Sequence, residues 1–323
     1  MTATELITGV KPISTECLKI FAPFYEERAK HYVYPRYMQS VCALIDMGKV
    51  YYNIIRAKHG NLLVIFKRTM IFGKIGVQMP ITPISLSGSA QDEQDAMLAA
   101  LKLGVSLRVT SEDISRYKIP RNLLSDGTGP FVPVNNEYIY QAQKGSDMIG
   151  SKYRKLRYQT KRVMRDNGYS MTDGIEPQTD LLVRLWDERY KQNNGEQTNQ
   201  ANLWDVIKRA ITNGRETVTV RNIFIKGTLQ CVSVLERLSP KHYVIVFRIR
   251  NYDSSLNDVG SAMQYIDCTA VRGSQESPIY LNMGLADTKG LIASKEGLNP
   301  CHHQKIWTLK TNKTNIILKQ YFK

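Results

Sequence analysis

The sequence predicts an α/β (α+β) chain made of two similar halves, each with a mixed, mostly antiparallel central sheet flanked by helices. Strand-like runs come in threes, over 50–78 and again over 217–249, separated by short polar turns, as antiparallel meanders require. Each trio is preceded by two helix-like segments and followed by a helix, a strand and a short helix, so the second half repeats the first. At 323 residues and 42% hydrophobic, the chain can fill two cores of roughly 150 residues each and is not a disordered segment.

In the first half, helices are expected over Thr15–Ala29 and Arg36–Met47. Strands follow at Val50–Arg56 and Leu62–Phe66, joined by a turn at His59-Gly60-Asn61, and then at Met70–Gln78. Ser89, with Asp92 three residues on, makes a capping-box-like start for a helix through Leu103. Val105–Thr110 reads as a strand and Ser111–Tyr117 as a short helix. Two punctuated zones mark a division between about 125 and 150: Ser125–Pro130 with Pro133 and Asn135-Asn136, and Lys144-Gly145-Ser146. The expected domains are 1–135 and 136–323, the second with a basic linker helix over 150–166, and Glu137–Tyr140 is a strand between the zones.

The second half is clearer. Gly168–Thr172 is a short strand, after which Thr179 caps a helix with an apolar face of Leu182, Leu185, Trp186 and Tyr190. A second helix shows Leu203, Val206, Ile207, Ala210 and Ile211; Trp186 and Trp204 are both expected in the core. Thr217–Ile225 and Leu229–Leu235 flank Lys226-Gly227 as a hairpin, and Tyr243–Ile249, apolar from Val244 to Phe247, reads as a buried central strand. A helix from Asn257 or Asp258 to Arg272, a strand at Ile279–Met283, a helix over Thr288–Glu296 and a strand at Lys305–Leu309 complete the order.

Composition narrows the function classes. The longest apolar stretches, Leu62–Phe66 and Met70–Pro80, are interrupted by Lys67, Arg68 and Lys74, so no membrane span is expected, and Met1–Val10 has no leader pattern. Five widely spaced cysteines (Cys17, Cys42, Cys231, Cys268, Cys301) read as reduced thiols of a cytoplasmic protein. A net charge of +15 favours polyanion partners, nucleic acid ahead of anionic lipid.

The positive charge is concentrated. From Lys152 to Arg165 there are seven cations (Lys152, Arg154, Lys155, Arg157, Lys161, Arg162, Arg165) and no acid. Ile149, Tyr153, Leu156, Val163 and Met164 keep helical spacing, so this helix is expected to pack while its other faces contact phosphates. Tyr153 and Tyr158 are candidates to stack on bases. Other candidates are sparser. His242 and Asp253 border the central strand and Asp287 follows a glycine turn; each is a candidate base. Cys301-His302-His303 lacks a second ligand cluster at zinc-like spacing, so no metal is expected. Gly73-Lys74-Ile75-Gly76 lacks the Lys-Ser/Thr of a phosphate loop.

Several segments carry a family resemblance: Gly150-Ser151-Lys152-Tyr153-Arg154-Lys155-Leu156-Arg157, Tyr280-Leu281-Asn282-Met283-Gly284-Leu285, Lys289-Gly290-Leu291, Asn299-Pro300 and Lys305-Ile306-Trp307. With the element order, they make the chain similar to double-GNAT acyltransferases, the group of tandem GNAT-like domains that includes Fem-type aminoacyl transferases, leucyl/phenylalanyl transferases and the C-terminal domain of phosphatidylglycerol lysyltransferases. The motif similarity spans about 150 to 310; the first half resembles the family by element order alone.

The resemblance implies that two splayed strands, Tyr243–Ile249 and Ile279–Met283, hold an extended acyl donor, with Phe247, Ile249, Gly260, Asn282, Gly284 and Lys305 on the donor side. It further implies an N-acyltransferase moving an acyl or aminoacyl group from aminoacyl-tRNA or acyl-CoA to an amine acceptor. The stretch Asn251–Ser261 keeps only Gly260 of the usual glycine-rich pyrophosphate turn, and Asp253 and Asp258 oppose a pyrophosphate, which favours aminoacyl-tRNA. The nucleic acid would be tRNA as donor, or DNA as acceptor in a phage-type enzyme acylating a modified base. The rival expectation is a non-catalytic nucleic-acid-binding protein on a degenerate form of the same fold. A lipid-directed aminoacyl transferase is a third, disfavoured by the lack of a membrane segment.

Overall fold

The computed structural model describes residues 2–71, 74–125, 136–165, 168–194, 200–212, 216–251, 258–272, 277–286 and 289–309. In chain order, helix α1 (Ala3–Ile7) and strand β1 (Lys11–Pro12) precede α2 (Cys17–His31) and α3 (Val41–Asp46). The single helix expected over 36–47 is broken because the Ser40 hydroxyl accepts from the Ala43 amide at 3.0 Å and starts a new helix after a 3-10 turn. Next come β2 (Val50–Arg56), β3 (Asn61–Ile71), β4 (Lys74–Met79), β5 (Ile84–Ser85), α4 (Ala90–Lys102), β6 (Ser106–Thr110), α5 (Ser111–Tyr117) and β7 (Leu124–Ser125). The strand expected over 70–78 is instead shared between β3 and β4: Lys67 and Arg68 pair with Gln78 and Val77, so these charges extend the ladder.

Then follow β8 (Asn136–Gln141), α6 (Ala142–Asp147), α7 (Arg154–Met164), β9 (Tyr169–Asp173), α8 (Pro177–Asn194) and α9 (Gln200–Thr212). Lys144-Gly145-Ser146, expected to be punctuation, lies inside α6. Pro177, with its φ preset for a first helical position, opens α8, so Thr179 sits in the first turn and is not the cap. The chain closes with β10 (Val218–Ile225), β11 (Thr228–Ser239), β12 (His242–Arg250), α10 (Val259–Arg272), β13 (Tyr280–Asn282), α11 (Lys289–Gly297) and β14 (His302–Leu309). The β10–β11 hairpin turns at Lys226 and Gly227, both at positive φ, the geometry that matches strand twist.

The chain forms two compact units. Unit 1 comprises Met1–Glu137, Leu285–Asp287 and Gln304–Lys323; unit 2 comprises Tyr138–Gly284 and Thr288–His303. In unit 1 the strands run β1-β2-β3-β4-β6-β14, with β5 on β3 and β7 on β14. All pairings are antiparallel except β4 with β6. The core of this unit packs Leu62, Val64 and Phe66 of β3 against Ala96, Met97 and Ala100 of α4, with Leu107, Val109 and Leu309 beside them.

In unit 2 the order is β8-β13-β12-β11-β10-β9, antiparallel except for β12 with β13. One face is covered by α10 and α7, where Val259, Ala262, Met263, Ile266 and Val163 pack on Ile223, Ile225 and Cys231. On the other face Trp204 of α9, 1% exposed, stacks on Phe247 at 6.0 Å. The expected apolar face of α8 is displaced by one residue. Leu182 and Val183 are buried, Leu185 is exposed, and Trp186, expected in the core, is half-buried and stacked on Tyr190. Trp204, the other tryptophan expected in the core, is there. No helix among the described residues is long and apolar enough to cross a membrane.

Candidate active site

In unit 2, β12 and β13 are the parallel pair of the sheet, and they pair through His242↔Tyr280, Tyr243↔Leu281 and Val244↔Asn282. Beyond that point β13 ends while β12 continues to Arg250. Against β11, Val234 pairs with Phe247 but Leu235 with Ile245, so β12 carries one extra residue, Val246. A bulge bends its strand and strengthens the local twist. Here it falls two residues after the last β12–β13 pair.

The end of β13 is tightly specified. Asn282, fully buried, accepts the Gly284 amide at 2.7 Å, and Gly284 adopts φ +70°, a conformation glycine takes without strain. Lys295 of α11 reaches back to the carbonyls of Met283 (2.7 Å) and Gly284 (3.2 Å), with its ammonium 5.5 Å from the Tyr138 ring centroid. Tyr140 donates to the Lys295 carbonyl at 2.8 Å, and burial pushes its phenol well above the usual range. A buried cation clamping two carbonyls holds the turn in one conformation.

On the α10 face, Arg248 of β12 donates to Gln264 (2.8 Å), Asp267 (2.6 Å) and Ser233 (3.3 Å), and approaches Met283 Sδ at 3.9 Å. Asp267, fully buried, also meets Arg221 at 3.3 Å. Two guanidiniums thus share one carboxylate. Cys231 and Cys268 nearby are pushed up to about 12, chiefly by burial, and are not nucleophiles at neutral pH.

The N-terminus of α10 is the second part of the site. A Cβ added at Gly260, its second residue, would meet nothing within 4 Å. Asp258, just before the helix, is 6% exposed and binds Gln159 at 2.8 Å and Arg162 at 2.6 Å, both from α7. Its charge is therefore already matched by a guanidinium beside the helix end.

The basic segment forms α7 as expected, but its cations divide. Arg162 is held by Asp258, and Arg157 donates to the carbonyls of Met148 and Gly150. Lys152, Arg154, Lys155, Lys161 and Arg165 are exposed, with no acidic partner among the described residues. Tyr153, expected to be available for stacking, is 3% exposed, whereas Tyr158 is 66% exposed. Ile149 and Met164, expected to pack, are exposed because the buried stripe is Leu156, Thr160 and Val163.

Of the other sequence candidates, Phe247 and Ile249 are buried on the bulged part of β12. Asn282, Gly284 and Gly260 lie at the end of β13 and the start of α10. His242 is 2% exposed at the paired end of β12, opposite Tyr280. Asp253 and Asp287 lie outside the described residues. Lys305 belongs to unit 1, where it lies 5.5 Å from the Trp307 ring. His303 meets Glu296 at 2.8 Å, and among the described residues no group of three His, Cys, Asp or Glu side chains converges as a metal site. Sequence reading missed Lys295 and the Arg248–Asp267–Arg221 group. A lone arginine following an apolar strand run was the available signal for the latter.

No family model matches the sequence, and no curated protein matches it. Solved structures do match. A conserved protein of unknown function from Bacteroides thetaiotaomicron is 15% identical, with 93% of this chain and 98% of that one aligned at a TM-score of 0.69. The C-terminal domain of a putative lysylphosphatidylglycerol synthetase from Agrobacterium fabrum is 13% identical over 84% and 87% of the two chains, at 0.57. A tandem GNAT protein from the clavulanic acid biosynthesis pathway is 9% identical over 95% and 99%, at 0.50. On its topology and these matches, the chain has the tandem GNAT fold.

Proposed function

We propose that the protein is an N-acyltransferase that moves an acyl or aminoacyl group from a phosphate-bearing carrier to an amine acceptor. The observation that supports this reading best is the end of β12–β13 pairing at Val244↔Asn282, two residues before a bulge at Val246, from which a divergence of the two strands is inferred. Diverging strands present backbone donors and acceptors along an extended slot, in which a donor carbonyl is aligned and its oxyanion is stabilised by a backbone N–H as the amine attacks. Phe247 and Ile249 line β12, Asn282 and Gly284 shape the opposite wall, and the open approach at Gly260 admits phosphate to the α10 N-terminus. Asp253 takes the proton of the attacking amine and returns it to the departing oxygen or sulfur of the carrier as the carrier–acyl bond breaks. His242 supports the strand from its paired end.

The carrier is an aminoacyl-tRNA or an acyl-CoA. The exposed cations of α7 favour the tRNA, in the cytoplasm. The same cations suit DNA as acceptor, where a modified base supplies the amine. A second reading, a nucleic-acid-binding protein without transfer chemistry, is favoured by Arg248, whose contact with Met283 Sδ ties the strands together where they part.

The test uses acetyl-CoA and a mixed pool of aminoacyl-tRNAs as donors, with mass-spectrometric detection of acylated amines, on the wild type and on Gly260→Glu. The added acid sits at a helix N-terminus, where it does not harm folding. Turnover by the wild type with at least tenfold weaker donor use by Gly260→Glu is expected. Donor use equal in the two proteins removes the α10 terminus from the site. Oligonucleotide binding with neither donor turned over selects the second reading.

A further inference from the structure

The exposed stripe of α7 is built in a way that phosphate contact alone does not require. With about 100° per residue, Arg154, Tyr158, Lys161 and Arg165 fall within about 60° of one another, on the side opposite Leu156, Thr160 and Val163. The row is some 16 Å long at about 1.5 Å per residue. Its cations lack acidic partners among the described residues, and Lys155 flanks it. Arg154 and Lys155 also occupy the first helical turn, which contains no acid, although the helix dipole there disfavours positive charge. A local rule broken on an exposed surface points to a ligand that compensates it. Between the cations stands Tyr158, a 66% exposed ring.

We propose that α7 is a platform for unpaired nucleotides: single-stranded nucleic acid whose phosphates follow Arg154, Lys155, Lys161 and Arg165 while one base stacks on Tyr158. This rests on the reading that α7 binds nucleic acid, and specifies the form bound. A duplex keeps its base faces stacked inside and presents phosphates that cations alone satisfy, leaving an exposed ring without use. An unpaired base offers its π-face to the ring, and cations on both sides hold the backbone in place. An anionic membrane is the weaker fit, because Ile149 and Met164 lie apart from the Tyr158 row and no continuous apolar face accompanies the charge.

The 323-residue chain is titrated, at about physiological salt, against fluorescein-labelled single-stranded RNA and DNA 12-mers, the same sequences as blunt duplexes, and phosphatidylglycerol/phosphatidylcholine vesicles. Single strands are expected to bind at least tenfold tighter than duplexes. Tyr158→Ala weakens them by about fivefold to a hundredfold, the range of one stacked base. Tyr158→Phe retains binding, and the duplex is indifferent to both changes. Circular dichroism confirms that these exposed-site variants fold. Equal affinity for duplex and single strand, or no effect of Tyr158→Ala where Arg154→Glu/Lys155→Glu abolishes binding, overturns the platform and leaves α7 as a phosphate contact. Vesicle binding with neither oligonucleotide bound overturns the nucleic-acid reading of α7 as well, while acyl transfer is read independently by the donor assay.

Discussion

Asp46 is half-buried, and its Oδ1 has no hydrogen-bond partner. Burial pushes its carboxyl up to about 6, against the pull of Lys67. An acid whose pKa is higher in the folded state holds its proton more tightly there, so its ionisation opposes folding. Its contribution is most favourable below about pH 4, near the unfolded value. Stability falls as pH rises toward about 6, then levels off. Asp46→Asn is expected to be the more stable protein at pH 7.5 by on the order of 1 kcal/mol after allowance for solvent screening, and to lose that advantage near pH 4. Thermal melts of both proteins across this range check it; an Asn variant that melts lower at pH 7.5 refutes the assignment. Some residue-level properties were readable without the fold. Five scattered cysteines predicted free thiols, and all five are free, four of them buried. The charge of Arg162 was readable too, but its capture by Asp258 was not, because the pair is 96 residues apart in sequence.

At the scale of elements, α6 and α10 are packed so closely that a Cβ at Gly145 would meet Cys268 Sγ well inside contact distance and its Cβ at 3.0 Å. Gly145→Ala is therefore expected to destabilise the protein by about 1–3 kcal/mol, as overpacking does. Cys268→Ala removes the sulfur and recovers part of that loss, so the two changes are non-additive. Chemical denaturation of the four-member cycle measures the coupling, and strict additivity would show that the helices do not meet there. Gly145 had the opposite appearance in the sequence: beside Lys144 and Ser146 it looked like turn punctuation, since a glycine chosen for close approach and one chosen for a turn are the same letter. The α8 stripe misled for a related reason. Leu182, Leu185, Trp186 and Tyr190 are apolar at helical spacing, but only the contact with β11 and β12 selects Leu182 and Val183 as the buried pair.

At the scale of the whole molecule, the chain order and the units do not coincide. Residues 304–309 of β14, near the end of the described chain, complete unit 1 by pairing Ile306 through Leu309 with β6 and adding Trp307 and Leu309 to its core. A fragment of residues 1–137 keeps most of this unit but leaves the β6 edge, with Leu107 and Val109, without its partner strand. It is expected to lack the cooperative thermal transition of the full chain, as followed by far-UV circular dichroism. A sharp native-like transition from that fragment would show that β14 is dispensable to unit 1.

The sequence by itself determined the class of fold, the two meanders, the Lys226-Gly227 turn and the basic helix, because each depends on periodicity and charge among neighbouring residues. It also placed Asn282 on a strand and Gly284 at the turn after it through family resemblance. Only the tertiary structure decided the bulge at Val246, the end of β12–β13 pairing at Val244↔Asn282, the carbonyl clamp by Lys295 and the sharing of Asp267 by Arg221 and Arg248. These depend on register and on contacts between residues far apart in the chain, where a shift of one residue moves every side chain to the other face, and local pattern carries no record of that choice.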